Sequence, residues 1–244
     1  MSTQSNDVTL ITAYFIRICF EQKNKTFVPM GVKNIVLIYT NKCIAGTKLL
    51  TFAQDIDLFP MLEKYIKGIQ SFKLLYRGSE NEFSAQIFQK KCIGLDKAGQ
   101  IVIIKSNHDA IFGGYISKDW SKQTDESAFI FLVQSNEEDL NEKCPKYFPI
   151  KSRFKKVAIS HRTGVGDWQC GPHFGLNDIY IGDNCNEKGY YWDMDTKKTV
   201  YYSKNYTYFQ AYEDHGEGVI LCGGPKNSAG DFDVVDYEVF KVLS

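Results

Sequence analysis

The sequence predicts a mainly β protein, a two-layer antiparallel β-sandwich with a few flanking helices. Short runs of β-branched and aromatic residues recur from residue 100 onwards, separated by clusters of Asn, Asp, Gly and Lys. Runs that recur at intervals of about ten to twenty residues are typical of an antiparallel sandwich. Two segments alone have a convincing helical pattern, and 14% of the residues are aromatic. Both observations favour sheets that have one face toward water.

Residues 1–70 mix strand and helix patterns. The β-branched and aromatic residues at 8–20 and 34–40 predict two strands. Residues 53–68 predict the first helix, since their apolar residues recur at helical spacing. Pro60 is expected near the first turn of this helix, because proline interrupts a helix interior. Gly68 is expected to end it.

The rest of the chain is dominated by strand patterns. Residues 71–79 predict a strand, and residues 81–92 predict the second helix, with Phe83, Ile87 and Phe88 on one face. Eight further strands are predicted, at 100–106, 110–117, 127–134, 156–162, 177–184, 198–203, 217–224 and 232–242.

The predicted strand at 110–117 contains two adjacent glycines, Gly113 and Gly114. Glycine weakens a strand, because it has no side chain to pack and loses much backbone freedom. The pair therefore predicts a bend, or a place where a neighbouring backbone or aromatic ring comes close. Trp120 is a candidate for that ring. Packing is the favoured interpretation, and direct contact with a partner is the alternative.

The charges of the chain balance, with 29 Lys and Arg against 29 Asp and Glu. A molecule-wide cationic surface of the kind that binds nucleic acid or acidic lipid is therefore not expected. The short basic run KSRFKK at 151–156 is interpreted as a solvated face.

Cysteine usage indicates a reducing compartment. The seven cysteines are odd in number and widely spaced, and most are beside apolar residues. This pattern is typical of reduced, buried thiols and not of a disulfide framework. The N-terminus lacks a basic region like that of a signal peptide, and the apolar runs are too short to span a membrane. We expect a cytoplasmic protein without membrane insertion.

Several stretches, in their order along the chain, resemble the TLDc domain of the oxidation-resistance proteins. They are LLYRGSENEFSAQIFQKKC, IVIIKSNHDAIFGGYISKDW, SAFIFLV, GPHFGLNDIYIGDNCN and DFDVVDYEVFKV. The resemblance covers residues 72–243 and rests on the order of the motifs, since each motif alone is weak. We expect the domain at 48–244, preceded by an extension, 1–47, whose strands pack on it.

The resemblance implies a sandwich of two antiparallel sheets with helices around it. It also implies a cytosolic, non-enzymatic module that binds and regulates the V-type proton ATPase and contributes to protection against oxidative stress. Such a module needs no cofactor. It would be recruited to vacuolar or lysosomal membranes through its partner, and we expect it to be a monomer.

Polar residues are densest between 164 and 186. Gly171, Pro172 and Gly175 predict a turn, and Asp178 opens the next strand, where its carboxylate can accept backbone N–H groups and fix the loop. Relatives often carry a histidine just before this aspartate. Asn177 takes the nearest place here, so chemistry by that histidine is doubtful in this chain.

The cysteines and His173 offer three chemical alternatives to an interaction module. Cys170, His173 and Cys185 resemble part of a metal site but lack a fourth ligand, so no metal is expected. Cys185, His173 and Asp178 have the residue types of a cysteine hydrolase, without a nucleophile signature. Cys144 has lysines on both sides and is the best candidate for a reactive thiol in an antioxidant enzyme or redox sensor.

The aromatic-rich stretch at 189–212 is the part least similar to the family. Tyr and Trp are common at contact surfaces. An ordinary strand pair whose aromatics cover the sheet is the favoured interpretation, and a contact surface specific to this protein is the alternative.

Overall fold

The computed structural model describes residues 43–94, 99–122, 124–136, 144–159, 170–194, 197–202, 205–214, 221–224 and 230–244. The strands predicted at 8–20 and 34–40 lie outside this part of the chain, as does the first half of the strand predicted at 217–224. The second half, 221–224, is a turn and not a strand, and Gly223 has φ of +72°, which a strand does not allow, so the prediction was wrong there. The chain forms two compact units. The described residues of the first unit are 43–45, 50–71 and Ser244, and those of the second lie within 46–49 and 72–243.

The first unit contains helix α1 (Phe52–Tyr65). Thr51 and Gln54 form a capping box, in which the Thr51 hydroxyl accepts from the Gln54 N–H and the Gln54 side chain accepts from the Thr51 N–H. The buried Asp55 carboxylate accepts the Ile44 N–H at 2.9 Å. Pro60 lies in the helix interior and not near the first turn, so that expectation was wrong. The helix continues through Pro60 with one N–H donor fewer.

The second unit is a sandwich of two antiparallel sheets. The first sheet contains β1 (Ser71–Arg77), β2 (Gln100–Ser106), β3 (Ile111–Ile116), β4 (Phe129–Gln134), β5 (Lys146–Pro149) and β12 (Val234–Leu243), in the order β1-β12-β2-β3-β4-β5. The second contains β6 (Cys170–Phe174), β7 (Ile179–Gly182), β10 (Asn205–Tyr206) and β11 (Asp231–Phe232), in the order β11-β10-β7-β6. Strands β8 (Gly189–Asp193) and β9 (Lys198–Tyr202) form a separate antiparallel ribbon. The predicted fold class is confirmed.

The glycine pair lies in β3, at the centre of the six-stranded sheet. Each glycine has a group of another strand close to its Cα. A Cβ on Gly113 would lie 1.9 Å from the carbonyl oxygen of Val102 on β2. A Cβ on Gly114 would lie 2.5 Å from the ring of Phe174, on the facing sheet. The predicted close approach is thus confirmed. The ring is that of Phe174, and Trp120 packs edge-on against it with 5.3 Å between ring centroids.

Helix α2 (Ala85–Cys92) covers one side of this core. Phe88 packs edge-on against both Tyr76 and Trp120, with centroid distances of 6.0 and 5.6 Å. The helix begins four residues later than predicted, because Glu82 and Phe83 have positive φ, which excludes them from an α-helix. A short 3-10 turn, Gly78–Glu80, precedes them.

Residues Ser152–Val157 form a second 3-10 helix, where the sequence predicts the start of the strand at 156–162. Ile159 alone makes a β-bridge, to Phe174, and residues 160–162 lie outside the described chain. Within the described residues, no helix is both long and apolar enough to cross a membrane.

Candidate functional site

Two segments of the second unit meet at the carboxylate of Asp178, and a third forms hydrogen bonds to both of them. Asp178 is completely buried and directly precedes β7. Its carboxylate accepts the backbone N–H groups of Leu176 at 3.1 Å, Gln210 at 2.7 Å, Ala211 at 2.8 Å and Tyr212 at 2.8 Å. The acceptor role that the sequence predicted for this carboxylate is confirmed. We call residues 151–158, 175–178 and 208–212 the Asp178 platform.

The electrostatics of Asp178 are those of a structural group. Burial raises the pKa of its carboxyl group, and the four backbone N–H donors act in the opposite direction. The side chain is shielded from water, and its oxygens are used by the backbone. Asp178 therefore fixes the loop 208–212 onto the turn 175–178 and is not placed to exchange protons with a substrate.

The turn between β6 and β7 depends on two residues with left-handed backbone. Gly175 has φ of +62°, and a Cβ there would lie 2.2 Å from an Asp178 carboxylate oxygen. Asn177 has φ of 84°, and its carbonyl oxygen accepts the Tyr208 N–H at 3.2 Å. Gly171 and Pro172 lie in strand β6 and not in the turn, which corrects the expectation for these two residues. A Cβ on Gly171 would lie 3.1 Å from the Tyr237 hydroxyl oxygen.

The 3-10 helix Ser152–Val157 is joined at both ends to the other two segments of the platform. At its start, the Lys151 N–H donates to the Ala211 carbonyl at 2.8 Å, and the Lys151 ammonium donates to the Gln210 carbonyl at 3.1 Å. At its end, the Ala158 carbonyl accepts both the Tyr212 hydroxyl at 2.7 Å and the Gly175 N–H at 2.9 Å. The three segments are thus joined by hydrogen bonds into one shaped surface.

The platform exposes apolar side chains on this rigid base. Tyr208 is 62% exposed and Leu176 is 38% exposed. They are neighbours through the hydrogen bond between the Tyr208 N–H and the Asn177 carbonyl. Tyr208 lies in the aromatic stretch 189–212 that the sequence offered as a contact surface. Leu176 was not predicted, although an apolar residue within the turn sequence Gly-Leu-Asn-Asp is a recognisable signal. Exposed apolar residues on a fixed loop are a typical protein-contact feature.

His173 and Cys185 do not form a catalytic group with Asp178. His173 is in β6, 2% exposed, with its ring edge-on to Tyr180 at 5.1 Å between centroids. Cys185 is completely buried. Both oxygens of Asp178 are hydrogen-bonded to backbone N–H groups, so this carboxylate is not available to orient a histidine base.

Cys144 lacks the electrostatic environment of a reactive thiol. The side chain is half-buried, and burial raises the pKa of its thiol group more than the nearby Lys146 lowers it. A nucleophilic or redox-sensing cysteine needs the thiolate at neutral pH. Burial therefore opposes formation of the Cys144 thiolate.

No set of three His, Cys, Asp or Glu side chains arranged to hold a metal ion occurs within the described ranges. Cys170 and His173, the pair that the sequence singled out, lie three residues apart on strand β6 and are both buried.

A second buried polar group was not foreseen from the sequence. The Arg77 Nε lies 2.7 Å from Glu238 Oε1, and both side chains are buried. Glu238 also accepts the Thr47 hydroxyl at 2.6 Å and the Lys48 N–H at 2.9 Å. The Arg77 Nη2 donates to the Gly46 carbonyl at 2.5 Å. The segment Gly46–Lys48 is thus part of the sandwich unit.

The family model of the TLDc domain matches residues 44–243, most of the chain. The chain belongs to the TLDc domain family. The TLDc match begins before the segment 46–48 that hydrogen-bonds to Glu238, and it includes both sheets, α2 and the Asp178 platform. No curated protein matches the chain.

Proposed function

We propose that this TLDc protein is a non-enzymatic interaction module that binds the peripheral sector of the V-type proton ATPase and regulates its activity. Contribution to protection against oxidative stress would then follow from control of the pump. In this proposal the protein is a cytoplasmic monomer that reaches vacuolar or lysosomal membranes through its partner.

The observation that carries the proposal is the division of roles at the Asp178 platform. The Asp178 carboxylate is buried and its oxygens fix the loops, while two large apolar side chains of the platform, Tyr208 and Leu176, are exposed. A catalytic site needs the opposite arrangement, with titratable groups accessible to a substrate. A preformed loop surface with exposed apolar groups supports recognition of another protein.

The thiol alternative receives no such support. The redox interpretation depended on a cysteine with a lowered pKa, and burial raises the pKa of Cys144. The same holds for Cys222, which is completely buried. We therefore do not propose antioxidant catalysis.

The test is a direct binding measurement with purified components. The full-length chain is immobilised and exposed to the detached peripheral sector of a V-type ATPase, with and without nucleotide, and ATP hydrolysis is measured in parallel. We expect binding and a change in ATP hydrolysis. Tyr208→Ser should weaken binding, whereas Met194→Ser, at a residue that is 79% exposed on the β8–β9 ribbon, should not. A wild-type chain that does not bind in any nucleotide state contradicts the proposal.

A further inference from the structure

The 3-10 helix of the Asp178 platform, together with the residue before it, carries four cations and no acid. They are Lys151, Arg153, Lys155 and Lys156. Lys151 donates to a backbone carbonyl, and Lys155 pairs with Glu126 at 2.8 Å. Arg153 and Lys156 are exposed, and among the described residues neither forms an ion pair.

The guanidinium of Arg153 has a defined position. Its carbon lies 4.7 Å from the centroid of the Phe154 ring, within the range of a cation–π contact. Such a contact leaves the N–H donors at the edge of the guanidinium available for a carboxylate. Arg153 is thus a positioned cation on the surface.

The chain direction places the basic 3-10 helix and Tyr208 on the same side of one β-bridge, and Glu213 and Asp214 on the other side. Ile150 and Tyr212 are antiparallel bridge partners. The chain after Ile150 enters the basic 3-10 helix, and the chain before Tyr212 carries Tyr208, so both continue to the same side of the bridge. Glu213 and Asp214 follow Tyr212 and lie on the other side.

Leu176 adjoins the opposite end of the 3-10 helix. The Ala158 carbonyl, directly after that helix, accepts the N–H of Gly175, the residue before Leu176. Two cations without an ion-pair partner among the described residues and two exposed apolar side chains therefore lie on one surface, and hydrogen bonds to Asp178 and Ala158 fix its backbone.

We propose that Arg153, Lys156, Leu176 and Tyr208 form a docking surface for an acidic segment of a partner protein that carries an apolar side chain. The proposal rests on the proposed interaction function and adds the surface and the chemistry of the partner. Carboxylates would pair with the two cations, and the apolar side chain would pack on Leu176 and Tyr208. Because the surface is already fixed, binding orders few groups of this chain. Tyr and Arg are also enriched at protein interfaces, whereas insertion into lipid needs a larger apolar face.

The test uses the isotope-labelled full-length chain and a synthetic peptide of Glu and Leu, followed by amide chemical shifts. We expect shifts concentrated at 151–158, 175–178 and 205–212. The double variant Arg153→Glu/Lys156→Glu should raise the peptide Kd about tenfold, which is about 1.4 kcal/mol. Tyr208→Ser should also raise it. The control variant Lys73→Glu/Lys90→Glu makes the same charge change at two other exposed lysines and should leave the Kd unchanged. Unchanged circular dichroism establishes that each variant is folded.

Two results would contradict the proposed docking surface. One is a set of shifts spread over all lysine-bearing segments, or an equal effect of the control variant. The other is binding to phosphatidylserine vesicles that depends on the same four residues while the peptide does not bind, which would identify a lipid surface. If the peptide binds here but the V-type ATPase sector does not bind the chain at all, the docking surface stands and the proposed function fails.

Discussion

Arg77 and Glu238 form a buried ion pair that joins the edge strand β1 to its neighbour β12, with 2.7 Å between Nε and Oε1. Glu238 has no exposed surface, so its charge is balanced entirely by protein groups. Three of its donors come from Arg77, Thr47 and Lys48. An acid in the middle of the last strand is in this way compatible with the core.

Removal of one member of this pair should strongly destabilise the protein. Arg77→Leu leaves the Glu238 carboxylate buried without its cation, and we expect a loss of about 3 to 5 kcal/mol in the free energy of unfolding. Urea denaturation followed by circular dichroism measures it. Glu80→Gln is the control, because Glu80 also pairs with Arg77 but its side chain is 48% exposed, and it should have a small effect. Equal losses in the two variants would contradict the buried-pair interpretation.

The two strand glycines should differ in how they tolerate alanine. A Cβ at Gly113 meets the Val102 backbone, which cannot move without disturbing β2, whereas a Cβ at Gly114 meets the Phe174 ring. We expect Gly114→Ala to cost about 1 to 3 kcal/mol and Gly113→Ala to cost more. In a double-mutant cycle by urea denaturation, Phe174→Leu should partly rescue Gly114→Ala and should not rescue Gly113→Ala. Rescue of both variants, or of neither, would contradict the conclusion that the Phe174 ring limits only position 114.

Asp178→Asn should loosen the platform. The amide keeps one acceptor oxygen and places an NH₂ group against backbone N–H donors, so we expect a loss of about 2 to 4 kcal/mol. Hydrogen exchange should accelerate most at Gln210, Ala211 and Tyr212, whose N–H groups donate to Asp178. Asp57→Asn, at an exposed position of α1, is the control and should leave these rates unchanged.

The pH dependence of the same variant tests the direction of the Asp178 pKa. A carboxyl group whose pKa is higher in the folded than in the unfolded chain makes the folded state bind the proton more readily, so the titration favours folding as the pH falls. The stability advantage of wild type over Asp178→Asn should therefore grow as the pH is lowered from 7 toward about 4. A shrinking advantage in urea denaturation would mean that the four N–H bonds outweigh burial.

Cys144 should react slowly with alkylating reagents at neutral pH. Burial raises the pKa of its thiol group, so the iodoacetamide rate should rise only above the pH at which an ordinary thiol titrates. Mass spectrometry of the Cys144 peptide after timed labelling at a series of pH values measures this. The urea-unfolded chain is the reference, in which the same thiol should titrate in the ordinary range. Faster labelling of the native protein than of the unfolded chain at pH 7 would revive the redox alternative.

Local patterns predicted the sandwich well because short runs of β-branched and aromatic residues, bounded by turn residues, specify strands directly. They also predicted the acceptor role of Asp178, since an aspartate at a strand start after a Gly-Asn turn has backbone donors nearby. The pattern at 81–92 misplaced the start of α2, because nothing local shows that Glu82 and Phe83 have left-handed backbone. The buried role of Glu238 could not be predicted for another reason. Its donors at 47, 48 and 77 are more than 160 residues away in the chain.

The ring that faces Gly114 could not be identified from the sequence for the same kind of reason. Trp120 is close in sequence, but Phe174, from the other sheet, occupies the space above Gly114. The platform likewise assembles from three segments that are separate in the sequence. The sequence of 151–156 alone therefore indicates only a solvated basic run.

The hydrogen bonds from Thr47 and Lys48 to Glu238 have a practical consequence for anyone who expresses this domain. A recombinant fragment that begins at residue 72 would retain all the described strands apart from Ser71 of β1, and would still leave the Glu238 carboxylate in its interior with two donors missing. Such a fragment would be expected in inclusion bodies, and its insolubility would say nothing about the biology of the parent protein. Cloning boundaries that start upstream of residue 46 keep both of these donors.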